Sequence, residues 1–280
     1  MAFIAALRVW MAIFVALALY AVLELNIIIF TTFKTRRGLY FWSFLVATNG
    51  IAPYSISLLL RHILQIDIPA LYITLTAIGW VSTVTGQSLV LYSRLHLVVQ
   101  SRLCLRFILG MIIIDAFILH IPNLVLLSFS ITSPSPELSS AWRIFEKIQT
   151  GGFFLQELII SGTYIKNLFS IYSWHGCQYD KATRKMRRNL LLVNVIVIFL
   201  DITIVITGYL QLWGFVTAFR VFVYSVKLKV EFSVLNSLVE VATQHGRGDD
   251  IGVNNFDGMA QNHGSPHGSN HGGVGFNGSV

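Results

Sequence analysis

The sequence predicts an all-α fold, a polytopic membrane bundle of seven transmembrane helices with its N-terminus outside and its C-terminus in the cytoplasm. Three observations lead there. Of 280 residues, 55% are hydrophobic and only 12% charged, and a mean hydropathy of +0.68 is too apolar for a soluble domain. The first part of the chain breaks into runs of about 20 apolar residues, enough for a helix to cross a hydrocarbon core about 30 Å thick. Basic residues collect in alternate connections, as they do on the cytoplasmic side of membrane proteins.

The runs fall at about 9–33, 39–60, 69–93, 107–129, 150–173, 189–211 and 214–238. Helices are required because an open sheet leaves backbone groups unpaired in lipid. The first run follows Arg8 and extends through Asn26–Phe33, too long for the apolar stretch of a signal peptide, about 7–15 residues. It is expected to remain as a span. In the second, Asn49-Gly50-Ile51-Ala52-Pro53 places a proline inside the helix, which removes a donor and bends the axis, an ordinary packing device in membranes. The third run carries Thr76, Trp80, Thr83, Gln87 and Arg94 within an arc of about 60° at 100° per residue. Such a polar stripe faces other helices, so this span is expected to be central. Arg94 ends it after Tyr92-Ser93 with no adjacent carboxylate, and is expected to snorkel to headgroups with His96 in the interface, an ionic switch at this helix end being the alternative.

The seventh run is the most charged. Arg220, Tyr224, Lys227 and Glu231 share one face, and Lys227 and Glu231 are four residues apart, a pairing distance. Charge at this depth needs partners. Glu24, Asp115, Glu157 and Asp201 lie in the first, fourth, fifth and sixth runs, and Asp201 and Asp115 are the expected partners of Arg220. The candidate intramembrane polar network is therefore Glu24, Asp115, Asp201, Arg220, Lys227 and Glu231, beside the third-helix stripe Thr76, Thr83, Gln87 and Arg94. A helix lying in the interface is the alternative for this segment.

Sidedness follows from charge. Eleven basic residues fall on one side, at Lys34, Arg36 and Arg37, at Arg94, Arg102 and Arg106, and in the loop Lys181–Arg188 (KATRKMRR); four fall on the other, Arg8, Arg61, Arg143 and Lys147. The KATRKMRR loop is expected to touch anionic headgroups, and a cytoplasmic transducer is a second possible partner there. The outer connection Ser130–Thr150 is expected to be a loop. Cys104 and Cys177 fall on the cytoplasmic side and are expected to be reduced. The bundle is assigned to residues 1–244. From 245 to 280 the chain turns to Gly, Asn, His and Ser, a composition that cannot bury a core and is expected to form a disordered cytoplasmic tail. Within it His263, His267 and His271 recur every four residues, but the intervening glycines oppose the helix that would align them on a metal.

Chemistry is sparse. No span holds two histidines a turn apart for an intramembrane zinc hydrolase. Lys227 is placed where an opsin carries its Schiff-base lysine, but Val223 stands four residues earlier instead of an aspartate. No catalytic residue, cofactor or metal is assigned, no nucleic acid partner is expected, and an enzyme ranks below the other readings.

The segments GLYFWSFLVATNGIAPYSISLLLR (Gly38–Arg61) and GQSLVLYSRLHLV (Gly86–Val98) resemble a group of uncharacterised filamentous-fungal seven-span integral membrane proteins. The resemblance covers residues 1–240 and implies a receptor-like layout without assigning ligand residues. The expected function is a receptor-like sensor in a multi-pass membrane setting, the plasma membrane before internal membranes, with a ligand cavity between the third, sixth and seventh spans. A small-solute transporter or a non-signalling scaffold is the alternative.

Overall fold

The computed structural model describes residues 2–32, 38–66, 68–99, 101–133, 135–174, 181–209 and 214–233. These belong to one compact unit, Met1–Asn236. The basic connection at Lys34–Arg37, Cys177 and the 245–280 tail lie outside the described residues. Of the 181–188 stretch the helical backbone is described, but among its side chains only that of Arg188, which is exposed.

Among the described residues every regular element is helical: α1 (Ala2–Thr32), α2 (Leu39–Leu58), α3 (Pro69–Val98), α4 (Arg102–Thr132), α5 (Pro136–Trp174), α6 (Lys181–Gly208) and α7 (214–233). Four segments, Ala6–Thr32, Leu39–Ile63, Arg102–Thr132 and Arg188–Gly208, are long and apolar enough to cross a membrane. The chain is thus a multi-pass membrane protein by length and composition.

Apolar stripes face outward. Leu17, Tyr20, Leu23, Ile27 and Phe30 on α1, and Leu192, Val195, Phe199, Ile202 and Ile206 on α6, are exposed at helical spacing, which places them against lipid. The polar groups of α3, α5 and α7 turn inward. In α7 no residue from 214 to 232 is exposed. This helix sits in the core with α1, α2 and α3, where Phe14 meets Phe215, Phe219 and Phe222 at centroid distances of 5.6, 5.5 and 5.5 Å.

The most extensive helix contact joins α2 to α3. Three glycines make it close: a Cβ on Gly79 would stand 2.5 Å from the Tyr54 backbone nitrogen, one on Gly86 2.8 Å from Ala47 Cβ, and one on Gly50 2.7 Å from Ser82 Cβ. Backbones approach where side chains are absent. Asn49 faces away from this seam and donates to Asn26 Oδ1 at 3.1 Å, joining α2 to α1. Beyond Pro53, α2 continues as a wider π-helical turn, Leu59–Ile63.

Two segments correct the sequence-based limits. The outer connection Ser130–Thr150 is not a loop: α4 runs to Thr132 and α5 starts at Pro136. Its start is conventional, with Ser135 Oγ accepting from the Leu138 amide at 3.2 Å, Pro136 at the first position and Glu137 in the first turn. The basic stretch at 181–188 is the first two turns of α6 rather than a loop.

Candidate functional site

Spacings of four, three and four residues place Arg220, Tyr224, Lys227 and Glu231 on one face of α7, and each charge finds its counter-charge on a different helix. Arg220 donates to Glu146 Oε1 of α5 at 2.9 Å. The Lys227 ammonium donates to both Glu157 of α5 and Asp201 of α6. Glu231 accepts from Arg94 of α3, whose guanidinium also reaches Asn194 Oδ1 of α6 at 3.3 Å. At the half-exposed rim Lys229 pairs with Glu24 of α1. An isolated charge at the centre of a span costs at least about 2.5–3.5 kcal/mol on insertion scales, so pairing is the condition for keeping these groups inside.

Three expectations are corrected by this geometry. Arg94 does not snorkel; it is 2% exposed and held by a carboxylate that comes from α7 rather than from its own helix. The partner of Arg220 is Glu146, not Asp201 or Asp115. Asp201 serves Lys227, while Asp115 is half-buried with no ion pair among the described residues. Lys227 and Glu231, although one turn apart, turn to different helices instead of pairing with each other.

Aromatic rings separate the ionic layers. The Arg220 guanidinium lies 5.4 Å from the Trp80 ring, which packs edge-on against Tyr224 at 5.8 Å. Arg94 lies 5.3 Å from Tyr164. The α3 stripe residues Thr76, Thr83 and Gln87 are buried alongside, with Thr76 donating to Ser57 of α2 at 3.1 Å. Between α3, α4 and α5, His120 bridges Thr85 and Gln149, each at 3.2 Å, and Gln156 donates to Ser88 at 2.8 Å.

A cavity of about 340 Å³ opens where α3, α5 and α7 begin and α2 and α4 end. This is the size of a small-molecule site. Its wall holds Arg61, Arg143 and Arg220 against the single carboxylate Glu146, together with Tyr54, Tyr72, Trp80 and Trp142. It lies among α2–α5 and α7, not between the third, sixth and seventh helices. Several buried polar atoms in it lack a partner: Trp80 Nε1, Asn123 Oδ1, Glu146 Oε2, Gln149 Oε1 and Arg220 Nε. Unmet buried groups cost about 1–3 kcal/mol each, so the cavity offers donors and acceptors that a polar occupant can satisfy.

Sequence reasoning missed Glu146 and Asn194 as partners and placed the cavity between other helices. The signal for Glu146 was present. Ser135-Pro136-Glu137 is a helix start, and Glu146, Gln149, Phe153, Gln156 and Ile160 recur at helical spacing on one buried face. Among the described residues no group of three or more His, Cys, Asp or Glu side chains is arranged to hold a metal. Cys104 is a free, half-buried thiol.

A family model described as Domain of unknown function (DUF7703) matches residues 3–249. No curated protein and no solved structure matches the chain.

Proposed function

We propose that this chain, which belongs to the DUF7703 family, is a seven-span, receptor-like membrane sensor that binds a small polar ligand in the cavity at the head of α3, α5 and α7. The observation that carries this reading is the position of the Arg220–Glu146 pair. It lines the cavity and belongs to the same α7 face that holds Arg94 through Glu231 at the opposite end. An occupant that engages Arg220 Nε or Glu146 Oε2 alters the balance of this pair. Because α7 carries both contacts, the change reaches the end where the basic residues collect. The distribution of basic residues supports an outward cavity and a cytoplasmic far end, where 181–188 is the natural place for anionic lipid or a transducer. A plasma-membrane location is the setting in which an outward site meets ligands from outside the cell.

The test is a thermal-shift screen of the full chain in lipid nanodiscs against small organic acids and amines. A true ligand present at about 100 times its Kd stabilises the bundle by about 2.7 kcal/mol, and Gln149→Leu, which removes a cavity acceptor and leaves both charges of the Arg220–Glu146 pair in place, should abolish the shift. Binding unaffected by Gln149→Leu refutes the cavity. Movement of the same compound across a vesicle membrane replaces the sensor with a transporter.

A further inference from the structure

Buried charge in the bundle does not balance. Arg220 answers Glu146 and Arg94 answers Glu231, one to one, but Lys227 is a single cation against two carboxylates, Glu157 and Asp201. All three groups of this triad are buried, with Lys227 wholly so. Full ionisation leaves one net negative charge in the middle of a lipid-embedded bundle, a state that a low-dielectric interior strongly disfavours. We propose that Glu157 and Asp201 together hold one proton beside Lys227, making the triad a buried proton-binding site.

The surroundings leave no other neutralising cation among the described groups in reach. On α7, Arg220 is committed to Glu146 and Glu231 to Arg94 of α3. Tyr224, whose ring lies 5.0 Å from the Lys227 ammonium, is a neutral phenol. On α4 His120 is held by Thr85 and Gln149, and on α1 Glu24 is engaged with Lys229 at the rim. Both carboxylates meet the one Lys227 ammonium, so their oxygens are held close to each other, an arrangement that two bare carboxylates oppose by repulsion. In the occupied site an O–H bond forms on one carboxylate oxygen with a proton taken from water, and that O–H donates to the other carboxylate. The ammonium donates to both. A metal ion is disfavoured because the lysine already occupies the space between the oxygens. The site lies away from the cavity wall and does not rest on the sensor reading.

Infrared spectroscopy of the full chain in nanodiscs at neutral pH tests the proposal. Wild type should show the C=O stretch of a protonated carboxyl, shifted in D2O, in excess of that in either Asp201→Asn or Glu157→Gln. Each amide leaves a single carboxylate opposite Lys227 and removes the need for the proton. Asp115→Asn, on the half-buried face of α4, should leave the band of the triad in place. A wild-type spectrum without any protonated carboxyl overturns the proposal, whether or not the variants fold. So does a band that both amides leave unchanged, or one lost when sodium is raised at constant pH.

Discussion

Replacing Glu146 by glutamine removes one charge and almost no volume, so it isolates what the carboxylate does for Arg220. At 2.9 Å the attraction of the pair is about 6 kcal/mol for an effective dielectric near 20. Relief of the desolvation of Glu146 offsets part of this, and removal of one member of a buried pair costs about 3–5 kcal/mol in comparable cases. Glu146 is 10% exposed at the cavity wall, so the lower end, about 3 kcal/mol, is expected. Arg220 cannot retreat to another carboxylate, since Asp201 is bound to Lys227 and the guanidinium lies over the Trp80 ring. The assay is reversible denaturation in mixed detergent micelles, followed by tryptophan fluorescence. Glu146→Gln should be destabilised, while Glu146→Leu combined with Arg220→Met should return to within about 1 kcal/mol of wild type, because no charge is left unpaired. A Glu146→Gln curve that overlays wild type, or a double variant worse than either single, refutes the pairing argument.

Gly79→Ala brings a Cβ to 2.5 Å from the Tyr54 nitrogen and should cost about 1–3 kcal/mol by forcing α2 and α3 apart. Gly162→Ala, with nothing within 4 Å, should be neutral or stabilise by up to about 1 kcal/mol in the same assay. Arg94→Leu strands Glu231 and should lower the midpoint as much as Glu231→Gln strands Arg94; equal stability of wild type and both variants would return Arg94 to the headgroups. With a cytoplasmic C-terminus, the sequon Asn277-Gly278-Ser279 should stay unmodified in a eukaryotic host, and a glycosidase-sensitive mass lost in Asn277→Gln would reverse the proposed topology.

Helix positions were legible because apolar length is a strong local signal: each of the seven runs coincides with a helix, and errors lie at the ends. The start of α5 was lost because Arg143, Glu146 and Lys147 lower the local hydropathy, although Ser135-Pro136-Glu137 announces a helix. Polar positions were legible as needing partners, but not which partners. Spacing along one helix puts Lys227 beside Glu231, yet their tips diverge to α5, α6 and α3, and such divergence depends on how helices are arranged around α7. Arg94 shows the same limit from the other side: depth estimated from the end of an apolar run places it at the surface, whereas α3 continues to Val98 and carries it inside. The close α2–α3 seam escaped notice because Gly50, Gly79 and Gly86 form no short repeat.

The position of α7 has a consequence for how the protein is made. Six helices emerge from the ribosome before it, and until it arrives Glu146, Glu157 and Asp201 have no ammonium or guanidinium from α7 to meet, nor Arg94 its carboxylate. With Arg220, Lys227, Lys229 and Glu231 in twenty residues, α7 is by itself a poor substrate for the translocon, and its charges are compensated only where their partners on α3, α5 and α6 are already in place. A nascent chain stalled before about residue 214 therefore carries inward-facing acids without their counter-charges, and cellular abundance becomes a readout of whether this one helix has arrived.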